Sequence, residues 1–226
     1  MKRPNRSQPR IRKAAPPAES NFRFVAGESS LDFGNTTDWT PAGDRWVHRN
    51  DLLRSYPDLV EWALAAGLLD EQLAKQLTNE AGMTPVKAAR ALRRAKELRD
   101  TVHGVFSAVA DGRAPPAELL RALEERLRDA VGLMTFEPDD HGGYRRSYGS
   151  SRDLDRIARS VAWLASELVT SARLGKVRIC AGERCGWLFL DESRNHLRKW
   201  CEMGTCGSRA KSRSYYERKK RSRDDS

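Results

Sequence analysis

At 226 residues, with 41 Lys/Arg against 31 Asp/Glu and a net charge of +10, the chain is long enough for one medium domain plus a small accessory one, without disulfide staples. It has no apolar run of about 18 residues, so no transmembrane helix is expected, and its charged, Pro-rich leading residues lack the apolar core of a secretory signal, so a cytosolic location is expected. The charge is uneven: residues 1–20 carry net +5, residues 21–172 net −3 and residues 173–226 net +8. A nearly neutral body with basic ends is the layout of a protein with a polyanion-binding tail rather than of a generally basic one.

Residues 1–20 are poor in apolar side chains and are predicted to be a disordered basic arm. Phe22, Phe24 and Val25 predict a strand running through Gly27 into Ser30-Leu31-Asp32-Phe33. Residues 34–50 are polar and irregular, a predicted loop whose Trp39 and Trp46 pack back on the body. A core helix is predicted from about Pro57, capped by Ser55 and ended by Gly67, with Leu59, Val60, Trp62, Ala63 and Leu64 covering much of its surface. A short helix follows over Asp70–Glu80. A long one, Thr84–Asp111, has Thr84 as cap and Pro85 just inside, with Ala88, Leu92, Ala95, Val102, Val105 and Phe106 at helical spacing. Leu119, Leu120, Leu123 and Leu127 mark another over Pro116–Val131. The period then changes, and Leu133–Glu137 with Tyr144–Tyr148 predict a hairpin. A helix over Arg152–Leu174 carries Ile157, Val161, Leu164 and Leu168 on one face; Gly175 ends it, and Val177–Ile179 leads as a short strand into Cys180. The predicted organisation is an arm (1–20), a body (21–175) and a basic metal module (176–226).

Cysteine use is the sharpest feature. None occurs in the first 179 residues, and then Cys180, Cys185, Cys201 and Cys206 fall together. In a cytosolic chain this favours metal ligation over disulfides. Two Cys-x4-Cys pairs, turned with the help of Gly182 and Gly204, meet the tetrahedral demand of a zinc ion, and four protein ligands leave no open position for catalysis. Trp187–Leu190 is predicted as the first strand of a hairpin that turns over Asp191–His196 and returns through Lys199-Trp200. The segment after Cys206 reads as a basic helix, which would put the last thiolate at a helix start, where its pKa falls. The expected fold is α+β and mostly α: a helical body with a small β-hairpin, followed by a treble-clef-like zinc finger with four cysteine ligands.

Residues 178–216 resemble the CGNR zinc finger. The resemblance rests on the two cysteine pairs, Trp187-Leu188-Phe189-Leu190-Asp191, Ser193-Arg194-Asn195, Arg198-Lys199-Trp200-Cys201 and Cys206-Gly207-Ser208-Arg209, where Ser208 replaces the Asn of the family's name motif. The body resembles the ABATE domain through Leu31-Asp32-Phe33-Gly34-Asn35-Thr36, with Gly34 in place of an aliphatic residue, and through the segment from Leu53 to Trp62. Together these cover about residues 22–216. The resemblance implies a bacterial, stress-associated transcription regulator, its body a sensor and its finger a DNA-binding element.

Phosphate affinity comes from cations. Arg209, Lys211, Arg213, Arg218, Lys219, Lys220 and Arg221 supply them on the last helix, and Arg194, Asn195, Arg198 and Lys199 form a second polar, basic cluster on the turn between the cysteine pairs. The same cations near the cysteines are equally suited to offset the −2 charge of a zinc ion bound by four thiolates. Asp32, Asn35 and Thr36, at the end of a predicted strand, are candidates to bind a small-molecule effector; turn and cap chemistry is the competing reading. His48 and His103 stand alone and read as structural. The chain carries no Gly-rich phosphate loop, Gly-x-Ser-x-Gly or His-Glu-x-x-His motif, and no enzyme activity is expected. The expected partners are DNA, an effector and a second copy of the chain, since regulators often read paired half-sites as homodimers; the alternative is a finger that docks protein or RNA. No membrane partner is expected.

Overall fold

The computed structural model of the chain describes residues 21–43, 45–138 and 142–224; the predicted basic arm over residues 1–20 lies outside them. In chain order the elements are α1 (Ser29–Gly34), β1 (Asp38–Ala42), β2 (Arg45–Arg49), α2 (Tyr56–Ala65), α3 (Glu71–Met83), α4 (Pro85–Ala110), α5 (Ala117–Gly132), β3 (Met134–Pro138), β4 (Tyr144–Tyr148), α6 (Arg156–Val169), β5 (Val177–Ile179), β6 (Leu188–Leu190) and α7 (Ser208–Asp224). The strands form three antiparallel pairs, β1-β2, β3-β4 and β5-β6. The protein is thus mostly helical with small strand pairs, and among the described residues no helix is long and apolar enough to cross a membrane.

Local chemistry sets the ends of several of these elements, at Ser55 as the sequence predicts. Ser55 caps α2 in a full capping box with Asp58, whose carboxylate accepts the Ser55 N–H. Asp70 caps α3 by accepting the Leu73 N–H at 2.8 Å. Thr84 does not cap α4: its hydroxyl donates backward to the Glu80 carbonyl at 2.8 Å, closing α3 instead. The α6 helix is shorter than predicted at both ends. Asp153 accepts the Asp155 N–H ahead of it, and the Ser171 hydroxyl bonds the Leu168 carbonyl behind it, so side chains take over backbone groups that a longer helix would use.

Two segments differ in kind. The expected strand through Phe33 is a short helix, because Asp32 accepts the Ala26 N–H at 2.8 Å and its own N–H donates to the Glu28 carbonyl. All of Ser30–Gly34 is buried, so the apparent alternation of apolar and polar residues carried no information about a solvent face. The expected loop over residues 34–50 contains the β1-β2 hairpin, with Trp39 opposite His48 and Gly43 at φ +62 beside the turn. Pro41, which cannot donate to a ladder, hid the strand signature there.

The body helices are tied by charge as well as packing. Arg94 makes a two-pronged contact with Asp155 (2.8 and 2.6 Å), linking α4 to the start of α6, and Arg159 bonds Asp129 of α5 at 2.7 Å. One hydrophobic core runs through body and finger alike, with Leu31, Phe33, Trp62, Phe106 and Val161 in the same cluster as Val177, Leu188, Phe189 and Leu190. The β5-β6 pair lies against α1 and α4. Each fully buried apolar side chain of β6 contributes roughly 1.5–3 kcal/mol, so the finger strands draw their stability from the body.

Candidate metal centre

The first cysteine pair follows β5. Cys180 donates its N–H to the Trp187 carbonyl at 2.8 Å, and the Cys185 N–H closes on the Gly182 carbonyl at 3.1 Å, forming a tight knuckle. Gly182 is needed by proximity: a Cβ there would stand 3.3 Å from the Cys206 sulfur and 3.2 Å from the Cys185 Cβ. The second pair arrives after the turn that follows β6. Cys201 is buried and donates its N–H to the Cys180 sulfur at 3.3 Å. Cys206 sits in a single π-helical turn (Met203–Gly207) that runs directly into α7, and the Ser208 hydroxyl donates to the Met203 carbonyl to close it.

The four sulfurs lie within 4.8 Å of one another. Cys185 and Cys201 are 3.6 Å apart and Cys201 and Cys206 3.7 Å, with no disulfide among them. A tetrahedral ion about 2.3 Å from each sulfur requires sulfur separations of about 3.8 Å, so the cluster already has the size of a metal cage. Its electrostatics point the same way. Hydrogen bonds from Cys185, Cys201 and the Cys201 N–H hold Cys180 far below the ordinary thiol range. The hydrogen bonds with Cys180, reinforced by burial and neighbouring negative charge, push Cys185 and Cys201 up. Thiols this close cannot all ionise unaided; a dication removes the conflict. The four cysteines are positioned to bind a metal ion.

The predicted strand pairing around this site is corrected. Leu188–Leu190 pairs with Val177–Ile179, not with Lys199-Trp200; the returning segment is joined instead by the Ala181 N–H to the Lys199 carbonyl at 2.9 Å. The turn is organised by Asp191, fully buried, whose carboxylate accepts from the Ser193 N–H and hydroxyl and the Arg198 N–H. Burial alone would raise that carboxyl, but these donors hold it below its usual range.

Of the polar and basic residues singled out in the sequence, Arg194, Asn195 and Lys199 are exposed on this turn, and Arg209, Lys211, Lys219 and Lys220 are exposed on α7. Arg213 ion-pairs with Glu183 of the knuckle. Arg221 lies on α7, its side chain outside the described residues. Arg198 is turned inward. It donates to the carbonyls of Trp200 (2.9 Å), Val25 (2.9 Å) and Cys201, and its guanidinium lies 4.3 Å over the Phe189 ring. It staples the body's leading segment to the metal loop, and its donors are engaged by backbone carbonyls. The sulfurs take their hydrogen bonds from thiols and backbone N–H groups, not from Arg194, Lys199 or Arg209.

Asp32, Asn35 and Thr36 lie in and just after α1 rather than at a strand end. All three are buried, and the Thr36 hydroxyl donates to the Phe33 carbonyl at 2.8 Å. Asn35 reaches the finger: its Nδ2 donates to the Leu188 carbonyl at 2.8 Å and its Oδ1 accepts the Leu188 N–H at 2.9 Å. His103 is also engaged there. Stacked on Trp39 at 3.8 Å, it holds a proton on Nε2 for the Gly186 carbonyl at 2.9 Å, and burial lowers its pKa to about 4. Neither role is legible in sequence, because the partners are 153 and 83 residues away. The body does hold a cleft of about 240 Å³, elsewhere, lined by Arg94, Arg126, Asp129, Asp155, Ala158 and Arg159.

Comparison with curated proteins finds no match. Family models match twice: residues 176–219 fit the CGNR zinc finger, and residues 27–172 fit ABATE, described as a putative stress-induced transcription regulator. With most of its length spanned by that second match, and with four clustered cysteines inside the first, the chain belongs to the ABATE family and carries a CGNR zinc finger after that domain.

Proposed function

We propose that the protein is a DNA-binding transcription regulator in which a structural zinc ion at Cys180, Cys185, Cys201 and Cys206 presents two basic surfaces to the phosphate backbone. The observation that carries this reading is the position of the exposed cations. Lys199 lies two residues ahead of Cys201 and α7 begins two residues after Cys206, so one ion orients both the turn with Arg194, Asn195 and Lys199 and the helix with Arg209, Lys211 and Lys220. These side chains are exposed and do not bond the sulfurs. A cluster of four cysteine sulfurs within 4.8 Å of one another, inside a match to a zinc finger family, supports zinc as the ion. Arg and Asn are also the side chains that read guanine and adenine edges. The reading assigns no catalytic step to the chain.

The test uses the full chain and a mixed-sequence DNA duplex, with affinity followed against salt. Log affinity falls linearly with log salt, and the triple substitution Arg209→Ala, Lys211→Ala, Lys220→Ala flattens the slope by about 3, close to 0.9 for each phosphate that is no longer neutralised. Elemental analysis finds one zinc per chain, absent from Cys201→Ser. Absence of duplex binding at low salt, with zinc in place, refutes the reading; binding confined to single-stranded RNA does the same.

A further inference from the structure

Four consecutive finger residues, beginning at a metal ligand, are each bonded to the body. The Cys185 carbonyl accepts the Trp39 N–H of β1 at 3.3 Å, and the Gly186 carbonyl accepts from His103 of α4 at 2.9 Å. The Trp187 indole donates to the Thr37 carbonyl at 3.0 Å, and Leu188 exchanges both of its backbone hydrogen bonds with the Asn35 side chain. Gly186 adopts φ +59 wedged between Trp39 and Trp46. Trp187 in turn receives the N–H of Cys180, the other ligand of the pair. The first half of the metal cage therefore rests on the body, through residues 35–39 and α4, as well as on the finger's own chain.

We infer that Asn35 and His103 are positioning residues of the metal centre, and that metal retention and the packing of the β1-β2 hairpin are reciprocally linked through residues 185–188. A segment held in ligating geometry by the body loses no ordering entropy when the metal binds; a change in the body that frees this segment must weaken metal affinity. By the same linkage, removing the metal must weaken the hold of the finger on the hairpin. The conformational state of the body then sets how firmly the cage, and with it α7, is organised. The inference rests on the metal centre of the proposed function but not on DNA binding. Its readouts are metal release and amide exchange, so it and the DNA-binding reading fail independently.

The experiment uses the full zinc-loaded chain and a chromogenic chelator. Asn35→Ala releases zinc on the order of 10–100 times faster than the parent, the range for partners that orient a ligand shell. Leu77→Ala, fully buried in α3, which packs on α2 and α4, lowers thermal stability yet releases zinc at a rate close to that of the parent. Equal release rates for the two variants overturn the inference. A second measurement needs no variant: after chelation of the unmodified chain, hydrogen exchange at the Trp39 and Leu188 amides accelerates on the order of tenfold or more, whether or not the change spreads to α3. Unchanged protection at both amides overturns the inference as well.

Discussion

Replacing Arg198 with lysine separates two roles that the sequence leaves together. A lysine keeps the charge, so a side chain that merely neutralised phosphate would tolerate it. Arg198 instead spreads its donors over the carbonyls of Val25, Trp200 and Cys201 and lies against Phe189. An ammonium reaches one of these carbonyls and cannot reproduce the planar contact. Losing two or three hydrogen bonds at about 1–1.5 kcal/mol each, in a half-buried site, costs about 3 kcal/mol. For a chain of this size that lowers the melting temperature by roughly 6–12 °C. Scanning calorimetry of the zinc-loaded Arg198→Lys protein measures the shift, and fluorescence anisotropy with duplex DNA, below the transition, measures affinity. The expected result is a clear loss of stability with the salt slope unchanged. A variant with parental melting temperature and a shallower slope refutes the inward role and returns Arg198 to the DNA-facing set.

Acid should expose His103. Its folded pKa of about 4 lies below the ordinary 6.5, so as pH falls below about 6.5 the unfolded chain takes a proton that the folded chain refuses. Stability contributed by the neutral ring is therefore complete above about pH 6.5 and is lost progressively down to about pH 4, about 3 kcal/mol in all. Urea titrations should show this extra loss in the parent relative to His103→Gln; parallel profiles refute it. Gly186→Ala would place a Cβ 2.6 Å from the Trp39 Cβ and 2.9 Å from the Trp39 carbonyl oxygen, at a left-handed φ. A destabilisation of roughly 2–5 kcal/mol is expected from strain and overpacking, and a melting temperature indistinguishable from that of the parent counts against this geometry.

Much of what depends on neighbours along the chain is written in the order of amino acids. The cap at Ser55 and the apolar stripes of α2 and α4 follow from local hydrogen bonding and helical period, whereas Thr84 and the ends of α6 use local groups in another way. The metal cage was legible for a related reason: two cysteine pairs with short spacers have few ways to gather except around an ion. Misreadings arose where local patterns had more than one tertiary use. Ser30–Phe33 alternates like a strand but is buried on every side as α1, and Leu188–Leu190 had two candidate partners, of which β5 won because pairing there puts Leu188, Phe189 and Leu190 into the body's core. Asn35 and Arg198 carried polar groups whose partners no local rule can assign. It took the folded chain, bringing α1 against β6 and the leading segment against the metal loop, to make one of them clamp a backbone 153 residues away and to turn the other inward. Short-range chemistry sets most helices and their caps; burial, which acts between segments distant in sequence, decides ambiguous segments such as α1 and what the polar side chains are for.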